Sequence, residues 1–312
     1  MNIENVCVLG GSGFIGRHLC EALAARGYRL RVPTRHRERA KHLTVLPTVE
    51  VIEADVHDAQ ALAWCLRGQH AVVNLVGILH GDFRQAHLEL ARKTVAACKA
   101  QNVQRLLHMS ALNADVNGPS EYLRSKGQAE VVVRDSGLAY TIFRPSVVFG
   151  PGDHFLTTFA CMQSVLPVVL LPCPAARFQP VYVEDVVAAF AAALEDPDAT
   201  RAAYDLCGPK VYTLRELVRY AGRTSGHARP IIGLSAKYSM LQAWLMEWLP
   251  GKLMSRDNVL SMSLDSVSKA AFPFAIRPAA IEAVVPGYMQ GTGARARFDL
   301  LRSLAGRGSR AA

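Results

Sequence analysis

The sequence has 312 residues, and none of its apolar runs reaches the roughly 18 residues that a membrane-spanning helix needs. The nearest candidates, 71–79 and 165–174, are short, and prolines break the second. No basic, apolar leader precedes the first strand-like stretch, so neither a signal peptide nor a transit segment is expected. Cys-x-x-Cys does not occur. The seven cysteines (Cys7, Cys20, Cys65, Cys98, Cys161, Cys173 and Cys207) are odd in number and scattered. That pattern predicts free, mostly buried thiols in a reducing cytoplasm rather than disulfides, and it offers no ligand set for a metal. Disorder is excluded by composition, since half the residues are hydrophobic and only 20% are charged. A chain of this length buries a sizeable core without staples.

Acidic residues are scarce in two places, and these account for the formal net charge of +9. Residues 26–42 hold seven Lys or Arg against Glu38, and residues 292–312 hold five Arg against Asp299. The remainder sums to −1, so the protein is not uniformly basic. Aromatic residues are not interleaved with the basic clusters, which makes a nucleic-acid partner an unlikely reading of the charge.

The first half alternates short β-rich runs with helical patterns. Strands are expected over 5–9, 29–32, 49–52, 71–76, 105–109 and 140–143. Helices are expected over 14–26, 59–67 behind an Asp58 cap, 86–101 and 121–135. This alternation implies parallel βαβ units, an α/β fold with a doubly wound parallel sheet of the Rossmann type. Beyond Gly150 the pattern loosens, returning to a helix over 183–194, a strand over 203–207 and a Thr213-capped helix over 214–222. The expected organisation is a nucleotide-binding core over 1–150, completed by about 180–208. A smaller, mostly helical lobe is expected from 151–179 and 209–290, followed by a basic flexible tail over 291–312.

The most specific motif is Gly10-Gly11-Ser12-Gly13-Phe14-Ile15-Gly16, placed between the first strand and the first helix. Gly10 permits the tight turn, Gly13 lets backbone approach a pyrophosphate, and Gly16 lets the helix pack on the sheet. The helix N-terminus offers free N–H groups to phosphate. After the second strand, Pro33-Thr34-Arg35-His36-Arg37 contains no acid to take a ribose 2′-hydroxyl. A guanidinium instead suits a 2′-phosphate, so Arg35, supported by Arg37 or Arg39, points to NADP(H) in preference to NAD(H). Asp55 and Val56 at the end of the third strand are candidates for contact with adenine, although a turn aspartate reads equally well. Leu75, Val76 and Gly77 end the fourth strand where backbone must pass close to the adenine ribose.

Tyr122 and Lys126 stand four residues apart on one helix face. The lysine can draw the phenol pKa toward neutrality, and the pair can trade protons with a substrate oxygen or hold the nicotinamide ribose. Ser110, at the end of the preceding strand, can polarise that oxygen.

With these residues in order, the sequence resembles the extended or atypical end of the short-chain dehydrogenase/reductase superfamily over about residues 3–210, a group that includes proteins similar to NAD-dependent epimerases and dehydratases. The resemblance rests on the glycine turn, Asp55, Ser110, Tyr122, Lys126 and Arg144-Pro145-Ser146. It implies that backbone over Pro145–Val148 faces the nicotinamide, adding Pro145 and Val148 to the cofactor site. A narrower resemblance lies in Ser110-Ala111-Leu112-Asn113-Ala114, Tyr122-Leu123-Arg124-Ser125-Lys126, 144–153 and Met254-Ser255-Arg256-Asp257-Asn258. These look like the family of the NADPH-binding accessory subunit of respiratory complex I and its bacterial relatives. The resemblance implies either an NADPH-dependent oxidoreductase or epimerase/dehydratase using Tyr-x-x-x-Lys, or a non-catalytic NADPH-binding structural, assembly or sensor protein. The substrate stays open. A cytoplasmic location is expected, at most peripheral to the inner membrane. Met240, Leu241, Trp244, Leu245, Trp248 and Leu249 form one helical stripe, read first as lobe core or the wall of an apolar pocket. The alternative is a protein or membrane-surface contact through 238–249 or the basic tail.

Overall fold

The computed structural model describes residues 3–248 and 254–289; the side chain of Arg39 lies outside this description, as do Leu249 and the basic tail. The strands β1 (Asn5–Leu9), β2 (Arg29–Thr34), β3 (Val49–Glu53), β4 (Ala71–Asn74), β5 (Arg105–Met109) and β6 (Tyr140–Pro145) alternate with α1 (Phe14–Ala25), α2 (Ala59–Leu66), α3 (Leu90–Ala100) and α4 (Glu121–Arg134). Short strands β7 (Val148–Phe149), β8 (Val169–Leu171), β9 (Arg177–Phe178) and β10 (Val181–Tyr182) follow, with α5 (Leu156–Val165) after β7. The chain then runs through α6 (Val183–Glu195) into β11 (Ala202–Leu206), the last strand of the main sheet. The second lobe adds β12 (Tyr212–Thr213), α7 (Leu214–Thr224), β13 (Ile231–Gly233), α8 (Ala236–Met246), α9 (Arg256–Ser261) and α10 (Ile281–Met289).

Seven strands pair in the order β11-β6-β5-β4-β1-β2-β3, all parallel. Covered on both faces, the central strands carry apolar side chains at nearly every position, and β4 and β5 are buried throughout. Alternate residues of β1 serve two cores. Val6 and Val8 pack with Leu19, Leu23 and Phe190 of α1 and α6, while Cys7 and Leu9 pack with Leu62, Leu66 and Leu90 of α2 and α3. Asp58 caps α2 by accepting from Gln60 N, and Thr213 and Glu216 form a reciprocal capping box on α7.

Most expected element boundaries fall within two residues of those observed. The expected helix over 86–101 is the main departure. A π-helical turn over Arg84–Glu89 precedes α3 and turns Phe83 and His87 toward α4. Such turns re-aim side chains locally. The irregular 150–180 stretch resolves into α5 and the short strands β8 and β9, which pair with β13 and β12. All seven cysteines are free thiols; five are buried, Cys173 is half-buried and Cys161 is exposed.

Candidate active site

Strand order reverses between β1 and β4, which opens a crevice at their carboxyl ends. Gly10 takes φ +79°, and a Cβ there would lie 3.2 Å from the Leu75 carbonyl carbon and the Val76 nitrogen. A Cβ on Gly16 would come within 2.3 Å of the Gly10 carbonyl. Helix α1 therefore sits against the turn at a distance that only glycine allows. Gly13 stands at its N-cap, exposed, with no side-chain cap and no acid in the first turn. The uncapped amides with their partial positive charge, flanked by Ser12, Phe14 and Ile15, fit a dinucleotide pyrophosphate.

Arg35 follows the last residue of β2, is exposed, and has no hydrogen-bond or ion-pair partner among the described residues. The nearest following acid, Glu38, is engaged by Lys41. Asp55 is exposed and holds its own turn by accepting from His57 N at 3.0 Å. That leaves its second oxygen without a described partner, so the turn and adenine readings both survive. Val56, Leu75 and Val76 are half-buried nearby, with Asn74 Oδ1 accepting from Val76 N at 3.1 Å.

Lys126 and Ser110 lie beside this crevice, and Tyr122 stands one helical turn before Lys126 on α4. Lys126 is buried, and its Nζ donates to the Met109 carbonyl at 3.1 Å and the Val76 carbonyl at 3.5 Å. Gly77 lies over it; a Cβ there would stand 3.2 Å from Nζ. Tyr122 is half-buried, and its hydroxyl has no partner among the described residues. Ser110 is buried at the end of β5 with an equally unpartnered Oγ. Two hydroxyls without protein partners, one of them sealed from water, are unusual away from a ligand site.

The electrostatics correct one expectation. Lys126 does not bring the phenol toward neutrality here: burial pushes Tyr122 up to about 12. Burial also lowers Lys126 to about 8, against the raising pull of Glu130. At neutral pH the pair is thus a protonated phenol beside a mostly protonated amine.

No motif or spacing marks His87. Its Nε2 accepts from Ile78 N at 3.1 Å, so Nδ1 carries the proton and donates to Ser125 Oγ at 2.8 Å, which in turn donates to the Tyr122 carbonyl. The His87 and Phe83 rings meet the Tyr122 ring edge-on, at 5.6 and 6.0 Å between centroids. Asn74 Nδ2 approaches His108 Nδ1 at 3.4 Å in a second buried layer. Burial, then Lys126, lowers both histidines, to about 2 for His87 and about 3 for His108.

The second lobe grips the same helix. Asp257 accepts from Glu121 N at 2.6 Å and Tyr122 N at 3.2 Å, adding a carboxylate to the N-terminus of α4, where Ser120 already caps Leu123 N. Asn113 Nδ2 donates to the Asp265 carbonyl, and Ser146 Oγ to the Ser266 carbonyl. Met254-Ser255-Arg256-Asp257-Asn258 thus has a local role: Ser255 and Asn258 form the capping box of α9, which carries Asp257 to α4. Pro145 and Val148 are half-buried beside this strap, and the Pro145 carbonyl is taken by Leu112 N.

Residues 10–152 match the family model described as NAD(P)H-binding. That stretch is an NAD(P)H-binding domain. The chain is 29% identical over 307 residues to the mitochondrial NADH-ubiquinone oxidoreductase 40 kDa subunit of Neurospora crassa, covering 94% of this chain and 80% of that one. It spans little more than half the length of similar mouse, rat and Arabidopsis thaliana subunits. It is also 28% identical over 251 residues to ceramide reductase of Caulobacter vibrioides, covering 77% and 78% of the two chains. Among solved structures, dTDP-glucose 4,6-dehydratase from Streptomyces venezuelae with NAD bound superposes with a TM-score of 0.73 at 20% identity, over 92% of this chain and 96% of that one. The fold is shared with solved dehydratase and epimerase structures, and residues 10–152 supply an NAD(P)H-binding domain. The chain is thus similar both to respiratory subunits and to reductases.

Proposed function

We propose that the protein is a cytoplasmic, NADPH-preferring oxidoreductase of the short-chain type that reduces a carbonyl. The observation that carries this is buried Lys126 bonded to the Met109 carbonyl, next to the unpartnered Ser110 hydroxyl and one turn along α4 from the unpartnered Tyr122 hydroxyl, beside a glycine turn whose helix is left uncapped. Bound NADPH would supply the hydride. Ser110 polarises the carbonyl oxygen by donating a hydrogen bond. Tyr122 gives its proton to the oxyanion formed; a phenol near 12 is protonated at neutral pH yet more acidic than an alcohol. The Lys126 ammonium stabilises the phenolate left behind, and water returns the proton. Arg35, unpartnered beyond β2, binds the 2′-phosphate, and the engagement of Glu38 by Lys41 removes the nearest competing carboxylate.

The second reading is a protein that holds NADPH without turnover. It is favoured by the strap, since Asp257 and Ser261 fix the N-terminal turn of α4 to the second lobe. Turnover separates the two. NADPH oxidation with a panel of ketones, quinones and sugar nucleotides, abolished in Tyr122→Phe with NADPH affinity kept within about threefold, supports catalysis. Tight NADPH binding with no turnover on any of them refutes it.

A further inference from the structure

Helix α8 is built inside out. Its buried face consists of small residues, Ser239 and Ala243, while Tyr238, Leu241, Trp244 and Leu245 along it, and Trp248 just beyond its C-terminal end, are 44–77% exposed. The expected placing of this stripe in the lobe core therefore does not hold for Leu241, Trp244, Leu245 and Trp248; Met240 is half-buried and Leu249 lies outside the described residues. The packing explains why. Ser239 Oγ accepts from Cys173 N and donates to the Ser235 carbonyl, and Gln242 Nε2 donates to the Leu170 carbonyl, so the small face is seated on the strand β8. Beside it, Leu170 of β8 pairs in register with Ile232 of β13, and both are exposed. Helix and ribbon together make one apolar surface, where isolated exposed residues would call for no explanation.

We infer that α8 and the β8–β13 ribbon dock onto the headgroup layer of an anionic phospholipid bilayer. The residue types fit that layer: tryptophan and tyrosine settle at the apolar–polar boundary and leucines sink beneath it. The charge fits as well. Residues 155–176 contain no charged residue, and over 216–247 Arg219, Arg223, Arg229 and Lys237 outnumber Glu216 and Glu247, the first of which is taken up in the capping box of α7 and the second paired with Arg256. A second copy of this chain would bring the same sign and be repelled, whereas anionic headgroups attract it. No helix among the described residues is long and apolar enough to cross a membrane, so the contact lies along the surface.

The test uses the full chain carrying Trp64→Phe, which leaves Trp244 and Trp248 as the reporters. Vesicles of phosphatidylcholine alone are compared with vesicles containing about one quarter phosphatidylglycerol, by co-sedimentation and tryptophan emission. The expected result is a blue shift and sedimentation with the anionic vesicles, weakening as salt rises. Leu241→Asp with Leu245→Asp lowers the partition coefficient by at least ~30-fold and leaves NADPH affinity unchanged. Lys237→Gln, a safe change at an exposed site, lowers it about fivefold. The inference fails if the chain sediments with neither vesicle, or if binding survives the double substitution. It also fails if the double substitution instead dissolves a dimer, which would make the surface a contact between copies. Because NADPH binding is read separately, a failure here leaves the oxidoreductase reading intact, and the converse holds.

Discussion

Replacing Gly13 with alanine separates the fold from the cofactor. Gly13 has φ −79° and ψ −178°, extended backbone that any residue adopts. Its added Cβ would meet only the Gly10 carbonyl, at 3.2 Å, which must yield by a few tenths of an ångström. Alanine is a poorer N-cap than glycine but restricts the unfolded chain, and the two effects are each about 0.5–1 kcal/mol with opposite sign. The ligand-free protein should therefore melt within about 2 °C of the parent. The methyl group nonetheless stands where pyrophosphate approaches the α1 amides. Losing one charge-assisted hydrogen bond costs about 1.5–3 kcal/mol, or roughly 10- to 150-fold in Kd for NADPH. Calorimetry measures the Kd, and thermal unfolding with and without NADPH measures the fold and its ligand-induced shift. Gly16→Ala is the contrast, because its Cβ would strike backbone at 2.3 Å and should destabilise the ligand-free protein. The reasoning is refuted if Gly13→Ala binds NADPH like the parent, or if it unfolds as readily as Gly16→Ala.

Two further outcomes follow from the surroundings of Tyr122. Asp257→Ala removes two hydrogen bonds from the N-terminus of α4 and should cost about 1–2 kcal/mol, lowering Tm by roughly 2–6 °C, while Asp257→Asn should recover part of this; an unchanged Tm in both would dissolve the clasp. His87 and His108 have folded pKa values of about 2 and about 3, below the ordinary 6.5, so the unfolded chain takes up these protons first. Their neutral burial is fully compatible with folding above pH 6.5, and stability falls as pH drops from there toward 3. Urea midpoints across pH 7 to 4 should decline, and His108→Asn should flatten the slope; an equally steep decline in that variant contradicts the assignment.

The sheet was legible in the sequence because its signals are local. Runs such as Ala71–Val73 of β4 and Leu106–Leu107 of β5 are apolar, and Asp58 and Thr213 mark helix starts through their own side chains. The glycine turn was legible because sterics at Gly10 and Gly16 admit no other residue. What escaped notice depends on contacts distant in sequence. His87 owes its place to a π turn that no periodicity announces, and Asp257 reaches Glu121 across 136 residues. The α8 stripe misled because periodicity reveals that a helix has an apolar face without revealing what covers it. The Tyr122–Lys126 spacing suggests a lowered phenol pKa, whereas burial, invisible in a spacing, raises it.

The central claim is that this chain holds NADPH through Arg35 at the end of β2, and paired calorimetric titrations of NADPH and NADH test it most directly. The account predicts tighter binding of NADPH by the parent, and an Arg35→Ala variant that loses about 1.5 kcal/mol or more for NADPH, roughly tenfold, with little change for NADH. The low end of the range applies because Arg35 is exposed and water screens the contact. Equal losses for both dinucleotides, or a parent that prefers NADH, would contradict it.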